Sequence, residues 1–244
     1  MIRNLLNKLL PREAVLFLID VKRRLFKGSE SKVLYAKWRE NEVVQKWIKN
    51  GWIKDRDFRI LSFEWEKFGR PVPPPHQVKE AMVADFGQSK SISTLIETGT
   101  YLGDMIMKQK DNFSKIISVE LSKELWKKAV MRFKDFNHIE IVNGDSSVEL
   151  KNVLRRIEDP VVFWLDGHYS GGITAKGESN CPIYGELDAI FETNRKDHVI
   201  LIDDARLFNG QNDYPTMQQI EGYVRKHWPE CGIETHSDII QIQN

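Results

Sequence analysis

The sequence predicts an α/β fold: a mostly parallel sheet of seven strands, flanked by helices and closed by a C-terminal antiparallel hairpin. Three observations carry this. Short continuous apolar runs, such as Val161-Val162-Phe163-Trp164-Leu165 and Val199-Ile200-Leu201-Ile202, read as strands buried on both faces, as in parallel sheets. From residue 94 onward such runs alternate with helical patterns, which is the rhythm of βαβ units. The last two runs are separated only by His236-Ser237-Asp238, too few residues for a crossover helix, so they pair antiparallel.

Taken in order, the strands fall at 94–98, 115–120, 139–142, 161–165, 199–202, 232–235 and 239–242. Helical patterns follow Gly103, cover 123–136, run from after Asp145 through Leu154, and cover 184–193 and 216–227. Pro71-Val72-Pro73-Pro74-Pro75 stops regular structure and marks a boundary. It divides a basic, helical N-terminal segment (1–70) from an α/β domain (76–244).

Composition narrows the partners. Hydrophobic residues make up 41% and charged residues 29% of the 244-residue chain, which fits an ordinary globular protein. A net charge of +1 implies no bulk attraction to nucleic acid. Residues 1–56 nevertheless hold 14 Lys and Arg against 6 Asp and Glu, so a basic arm precedes a mildly acidic body. Within 1–27, Leu5, Leu6, Leu9, Leu10, Leu16, Phe17 and Ile19 lie among basic residues. Two readings stand: a peripheral membrane contact, or an arm packed on the domain or on a second subunit of a homo-oligomer. Glu13 and Asp20 interrupt the basic pattern and favour packing. Residues 33–53, with Trp38, Val43, Val44 and Trp47 at helical spacings, form a further helix. No run approaches the roughly 20 apolar residues of a membrane span. Cys181 and Cys231 lack metal-ligand spacing and read as free thiols of a reducing compartment. The expected location is cytoplasmic.

Candidate site residues collect at strand ends, where open α/β sheets bind ligands. The first strand runs into Glu97-Thr98-Gly99-Thr100-Tyr101-Leu102-Gly103, a turn whose glycines admit a ligand close to the backbone. The dinucleotide fingerprint needs a further glycine here, and no phosphate-binding loop is present, which disfavours NAD, FAD and ATP. Glu120 ends the second strand, where an acid reaches ribose hydroxyls in such folds. Asp145 follows the third. Successive acids of this kind point to a nucleoside site.

With these residues the sequence resembles class I S-adenosylmethionine-dependent methyltransferases over 76–244. The Asp166-Gly167-His168 and Asp203-Asp204 strand ends look like the metal-dependent O-methyltransferases of the macrocin and catechol type. The resemblance implies a Rossmann-like fold and S-adenosylmethionine as cofactor. It places Glu97 and Gly99 at the methionine part, Glu120 at the ribose and Asp145 at the adenine, with Thr100, Gly103 and Asp166 also among the cofactor-binding residues. The turn is poorer in glycine than the family's usual form.

Adjacent strands lie about 4.8 Å apart, so Asp166, Asp203 and Asp204 are expected to meet. Clustered carboxylates repel unless protonated or bridged by a cation, and an all-oxygen set suits Mg²⁺, with Mn²⁺ or Ca²⁺ as alternatives. Such an ion would hold and acidify a substrate hydroxyl. His168 titrates in the useful range and is the candidate general base. Lys176, in the Gly- and Ser-rich segment between Gly167 and Cys181, competes for that role, and the segment reads as a substrate loop. Glu186 is either a supporting carboxylate or part of a solvated helix face. Arg206 either binds an anionic substrate group or makes a surface ion pair. The expected activity is O-methylation of a sugar, glycan precursor or small molecule. The alternatives are another metal-dependent reaction on this fold, a hydrolase or hydroxylase, and a non-catalytic cofactor-fold binding protein.

Overall fold

A computed structural model describes residues 72–167 and 181–244. The expectations for 1–27, 33–53, His168 and Lys176 lie outside these residues.

Seven strands alternate with six helices. In chain order they are α1 (His76–Ser89), β1 (Thr94–Thr98), α2 (Asp104–Gln109), β2 (Lys115–Glu120), α3 (Lys123–Phe133), β3 (Ile139–Asn143), α4 (Ser146–Leu154), β4 (Val161–Leu165), α5 (Ile183–Phe191), β5 (Val199–Ile202), α6 (Met217–His227), β6 (Gly232–His236) and β7 (Ile239–Gln243). The sheet order is β3-β2-β1-β4-β5-β7-β6. The contacts of β1 with β2 and β4, of β2 with β3 and of β4 with β5 are parallel. β7 runs antiparallel to both β5 and β6.

All seven predicted strands are present within a residue or two of their expected bounds. The hairpin is tighter than expected: Ser237 and Asp238 alone form the turn, both with positive φ, as the twist of a two-residue hairpin requires. Its order was not legible, because the last strand, not the sixth, lies against β5.

The central strands are apolar throughout because helices cover both faces of the sheet. Successive side chains point to opposite faces, so each run divides by parity. Ile96, Ile117, Phe163, Leu165, Ile200 and Ile202 pack in one core with residues of α4, α5 and α6. Leu95, Ile116, Val162, Trp164, Val199 and Leu201 pack in the other with residues of α1, α2 and α3. Each fully buried side chain of this size is worth about 1.5–3 kcal/mol.

α1 has no clear pattern in the sequence. Its buried positions, Val78, Lys79, Ala81, Met82, Val83, Ala84 and Gly87, run almost round the helix, and its N-cap is Pro75 with no side-chain cap. No apolar stripe or capping residue announces it. By contrast α6 opens on a capping box between Thr216 and Gln219, a sequence-level helix start. No helix among the described residues is long and apolar enough to cross a membrane.

Candidate functional site

The strand order reverses at β1, whose neighbours β2 and β4 lead in opposite directions across the sheet. This is a topological switch point, the place where open α/β sheets bind ligands at the carboxyl ends of their strands. Pairing places Thr98 beside Leu165 and Leu165 beside Ile202. The next residues, Gly99, Asp166 and Asp203, therefore stand level along the edge. Backbone bonds continue the ladder there, from Asp166 N–H to Thr98 O and from Asp203 N–H to Leu165 O.

Gly99 sits at φ +83, and a Cβ on it would lie 2.2 Å from the Asp166 carbonyl oxygen. The β1 turn is thus pressed against the β4 turn, and only glycine permits it. Gly103, at φ +77, abuts the Phe133 ring in the same way and begins α2.

Polar groups around the β1 turn are tied to one another. Glu97 is 2% exposed, and Ser118 Oγ donates to its Oε2 at 2.6 Å. Ser118 Oγ also lies 2.6 Å from Thr100 Oγ1. Burial pushes the Glu97 carboxyl well above its usual range; the Ser118 hydrogen bond opposes this, while Asp166 and Glu120 add to it. Glu120 ends β2 and accepts from Tyr101 N–H through Oε2 and from Ser122 N–H through Oε1, each at 2.8 Å. It clamps the glycine turn to the neighbouring strand. Burial raises its carboxyl and these two amides pull against the rise. Each carboxylate oxygen retains a second lone-pair direction, so Glu120 keeps acceptor capacity.

Asp145 is the N-cap of α4, its Oδ1 accepting from Ser147 N–H at 2.9 Å and from Ser147 Oγ at 2.6 Å. Capping fixes its position just beyond β3. Gly167 lies in a polar surround: a Cβ there would stand 3.0–3.1 Å from Glu186 Oε1, Ser146 Oγ and Thr98 Oγ1. Thr98 Oγ1 is fully buried and has no hydrogen-bond partner among the described residues. Glu186 is 2% exposed, so it belongs to this buried cluster and not to a solvated helix face.

At the expected metal triad the acids of β5 meet cations of the chain itself. Among the described residues no group of three or more His, Cys, Asp or Glu is arranged to hold a metal ion. Lys79, from α1, places its Nζ 2.5 Å from Asp203 Oδ2 and 3.4 Å from Asp204 Oδ1. Parity explains the meeting: Asp203 follows Leu201 onto the face that α1 covers. Asp203 Oδ1 accepts from Asp204 N–H, so both of its oxygens are engaged. Asp204 adopts a left-handed conformation, φ +56, and its Oδ1 accepts from Arg206 Nη1 at 2.7 Å. Arg206 also pairs with the buried Asp238 of the hairpin turn. Burial pulls the Lys79 ammonium down, but Asp203, Asp204 and Asp166 outweigh it and hold the group charged above its usual range. Burial raises the Asp203 carboxyl, with Lys79 pulling against it. The donor set therefore fits a divalent cation poorly, because the ion would stand beside an ammonium already paired with Asp203 and the two cations repel.

Cys181 and Cys231 are buried thiols that form no disulfide among the described residues. Burial pushes the Cys181 thiol up to about 12, which leaves it unreactive at neutral pH.

Several of these residues were not legible in the sequence. Ser118 carried a signal, a small polar residue inside the apolar run of β2 that the register sets opposite Glu97. Lys79 carried none.

No protein-family model and no curated protein matches the sequence. Solved structures do match. One is an SAH-bound methyltransferase of Podospora anserina, PaMTH1, with a TM-score of 0.52 at 13% identity, covering 89% of this chain and 96% of that one. The fold is that of the class I methyltransferases. An O-methyltransferase from Bacillus cereus in complex with SAH gives a TM-score of 0.51 at 15% identity over 86% of this chain and all of that one. TomG, an O-methyltransferase of Streptomyces achromogenes solved with SAM, gives 0.50 at 12% identity, covering 83% and 89%. At such identities the methyltransferase likeness speaks for architecture: the Rossmann-like sheet, its order and its hairpin.

Proposed function

We propose that the protein is a methyltransferase that moves a methyl group from S-adenosylmethionine to a hydroxyl of a sugar, glycan precursor or other small molecule. The observation that carries this reading is the topological switch point at β1. There Gly99 is packed on the Asp166 carbonyl, and Glu120 is held at the edge by two backbone amides. The unpartnered, buried Thr98 Oγ1 beside Gly167 supports a polar ligand at the same place. The solved methyltransferases of this fold include proteins bound to SAH or SAM, and two of them are O-methyltransferases.

In this reading Glu97, Gly99, Thr100 and Gly103 line the methionine part, Glu120 accepts from the ribose hydroxyls, Asp145 faces the adenine, and Asp166 stands beside the cofactor. When bound, S-adenosylmethionine supplies a methyl group on a cationic sulfur, which departs with the electron pair as a neutral thioether. The chain supplies alignment and a place for the proton. Rigid strand ends hold the acceptor oxygen in line, the contribution expected of positioning groups. The hydroxyl proton passes to His168, two residues beyond Asp166, or to Lys176, the competing base.

Calorimetry of the full chain with S-adenosylmethionine tests this. Saturable binding is expected. Glu120→Ala should weaken it at least about tenfold, since hydrogen bonds to a charged group contribute about 1.5–3 kcal/mol each. Absence of binding by the wild-type protein would overturn the reading. Mass analysis of acceptors incubated with labelled cofactor then shows whether the methyl group is on oxygen.

A further inference from the structure

The carboxylates at the tip of β5 already have a cation, and it belongs to the chain. Lys79 lies on α1 with its side chain 10% exposed, facing an Asp203 side chain that is 3% exposed. It reaches Asp203 Oδ2 at 2.5 Å and Asp204 Oδ1 at 3.4 Å. A second fixed cation, Arg206, takes the same Asp204 oxygen and bridges to Asp238. Asp203 is neutralised by Lys79, and Arg206 offsets the charge on Asp204 and Asp238. A divalent ion would have to bond the carboxylate oxygens at about 2.0–2.1 Å for Mg²⁺. It would then sit beside an ammonium anchored by a 14-residue helix, in a buried setting where like charges repel strongly. Displacing Lys79 instead would bury an ammonium without its partner.

We propose that Lys79 is the resident cation of this acid cluster, and that the edge of β5 receives the acceptor without a divalent metal ion. The part concerning the acceptor rests on the methyl-transfer reading; the part concerning the ion does not. Lys79 makes the site a metal-free variant of the all-oxygen arrangement that Asp166, Asp203 and Asp204 suggest in sequence.

The probe is Mn²⁺ alone, titrated into the full chain and followed by calorimetry and electron paramagnetic resonance. Wild-type protein is expected to show no Mn²⁺ binding that Asp203→Asn removes. Lys79→Met deletes the charge and should open an Asp203-dependent Mn²⁺ site at least roughly a hundredfold tighter than any in the wild type, because one unit charge at this distance is lost from the site. Mn²⁺ should also raise the melting temperature of Lys79→Met and leave that of the wild type unchanged. Lys79→Gln keeps a donor towards Asp203 and provides the same readout where methionine prevents folding. Wild-type binding of Mn²⁺ that Asp203→Asn abolishes would overturn the proposal. So would folded Lys79 variants that gain no Mn²⁺ affinity, because the lysine would then not be what keeps the ion out. Cofactor calorimetry on the same samples separates this result from failure of the methyltransferase reading.

Discussion

The two halves of the sheet's carboxyl edge handle buried carboxylates in opposite ways. On the β1–β2 side, Glu97 and Glu120 are met by neutral donors: the Ser118 hydroxyl and the backbone amides of Tyr101 and Ser122. On the β4–β5 side, Asp203 and Asp204 are met by the cations of Lys79 and Arg206. Neutral donors leave the first half able to take up a positively charged or hydroxyl-bearing ligand. Ion pairing offsets part of the charge of the second half before any ligand arrives. An acid at a strand end is therefore not one kind of site; the partner that its neighbouring helix or turn delivers decides what it is.

The largest effect expected from this contrast is at Lys79. Lys79→Met leaves Asp203 buried without its ion-pair partner, which should cost about 3–5 kcal/mol of stability. Denaturant unfolding measures it, and a loss below 1 kcal/mol would mean that the pair behaves as a surface salt bridge and that the contrast is false.

The next effect lies at the amino ends of the same strands, where His198 provides a control. Its Nδ1 accepts from Val161 N–H at 3.1 Å, and its ring meets Phe163 edge-on. Burial pulls its pKa down to about 4 from an ordinary 6.5. A depressed value means that the stability is fully present above pH 6.5 and is lost as pH falls through the window down to about 4. The loss attributable to His198 should reach at most about 3 kcal/mol. It appears as the difference between wild type and His198→Gln in unfolding across that window, and matching pH profiles would contradict it.

The smallest effect is expected on the neutral side. Glu97 has its carboxyl raised by burial, so its contribution is full below the ordinary carboxylate range and falls as pH rises towards the raised value. Glu97→Gln keeps an oxygen acceptor for Ser118 and removes that fall. Its stability at neutral pH should stay within about 1 kcal/mol of wild type or exceed it. A destabilisation as large as that of Lys79→Met would show that Glu97 is held by charge after all.

Much of the fold was legible because the cues are local. Apolar runs of strand length, their alternation with helical patterns and the short spacer His236-Ser237-Asp238 each act over a few residues, and every predicted strand is present. The helix at His76–Ser89 escaped because burial nearly all round it leaves no stripe to read. Site residues at strand ends were legible by position, and Gly99 was legible by type. Their partners were not. Ser118 meets Glu97 through strand register, and Lys79 meets Asp203 across 124 positions of sequence.

By itself the sequence determined the class of sheet and the acids that stand at its carboxyl edge, because hydrophobic periodicity and turn chemistry are properties of short segments. Only the tertiary structure decided what those acids do. The placement of β7 inside β6, the packing of Gly99 on Asp166, and above all the arrival of Lys79 where a metal ion was expected depend on which face of which helix covers which strand. That follows from packing two helical layers on one sheet, a long-range condition that no local pattern encodes.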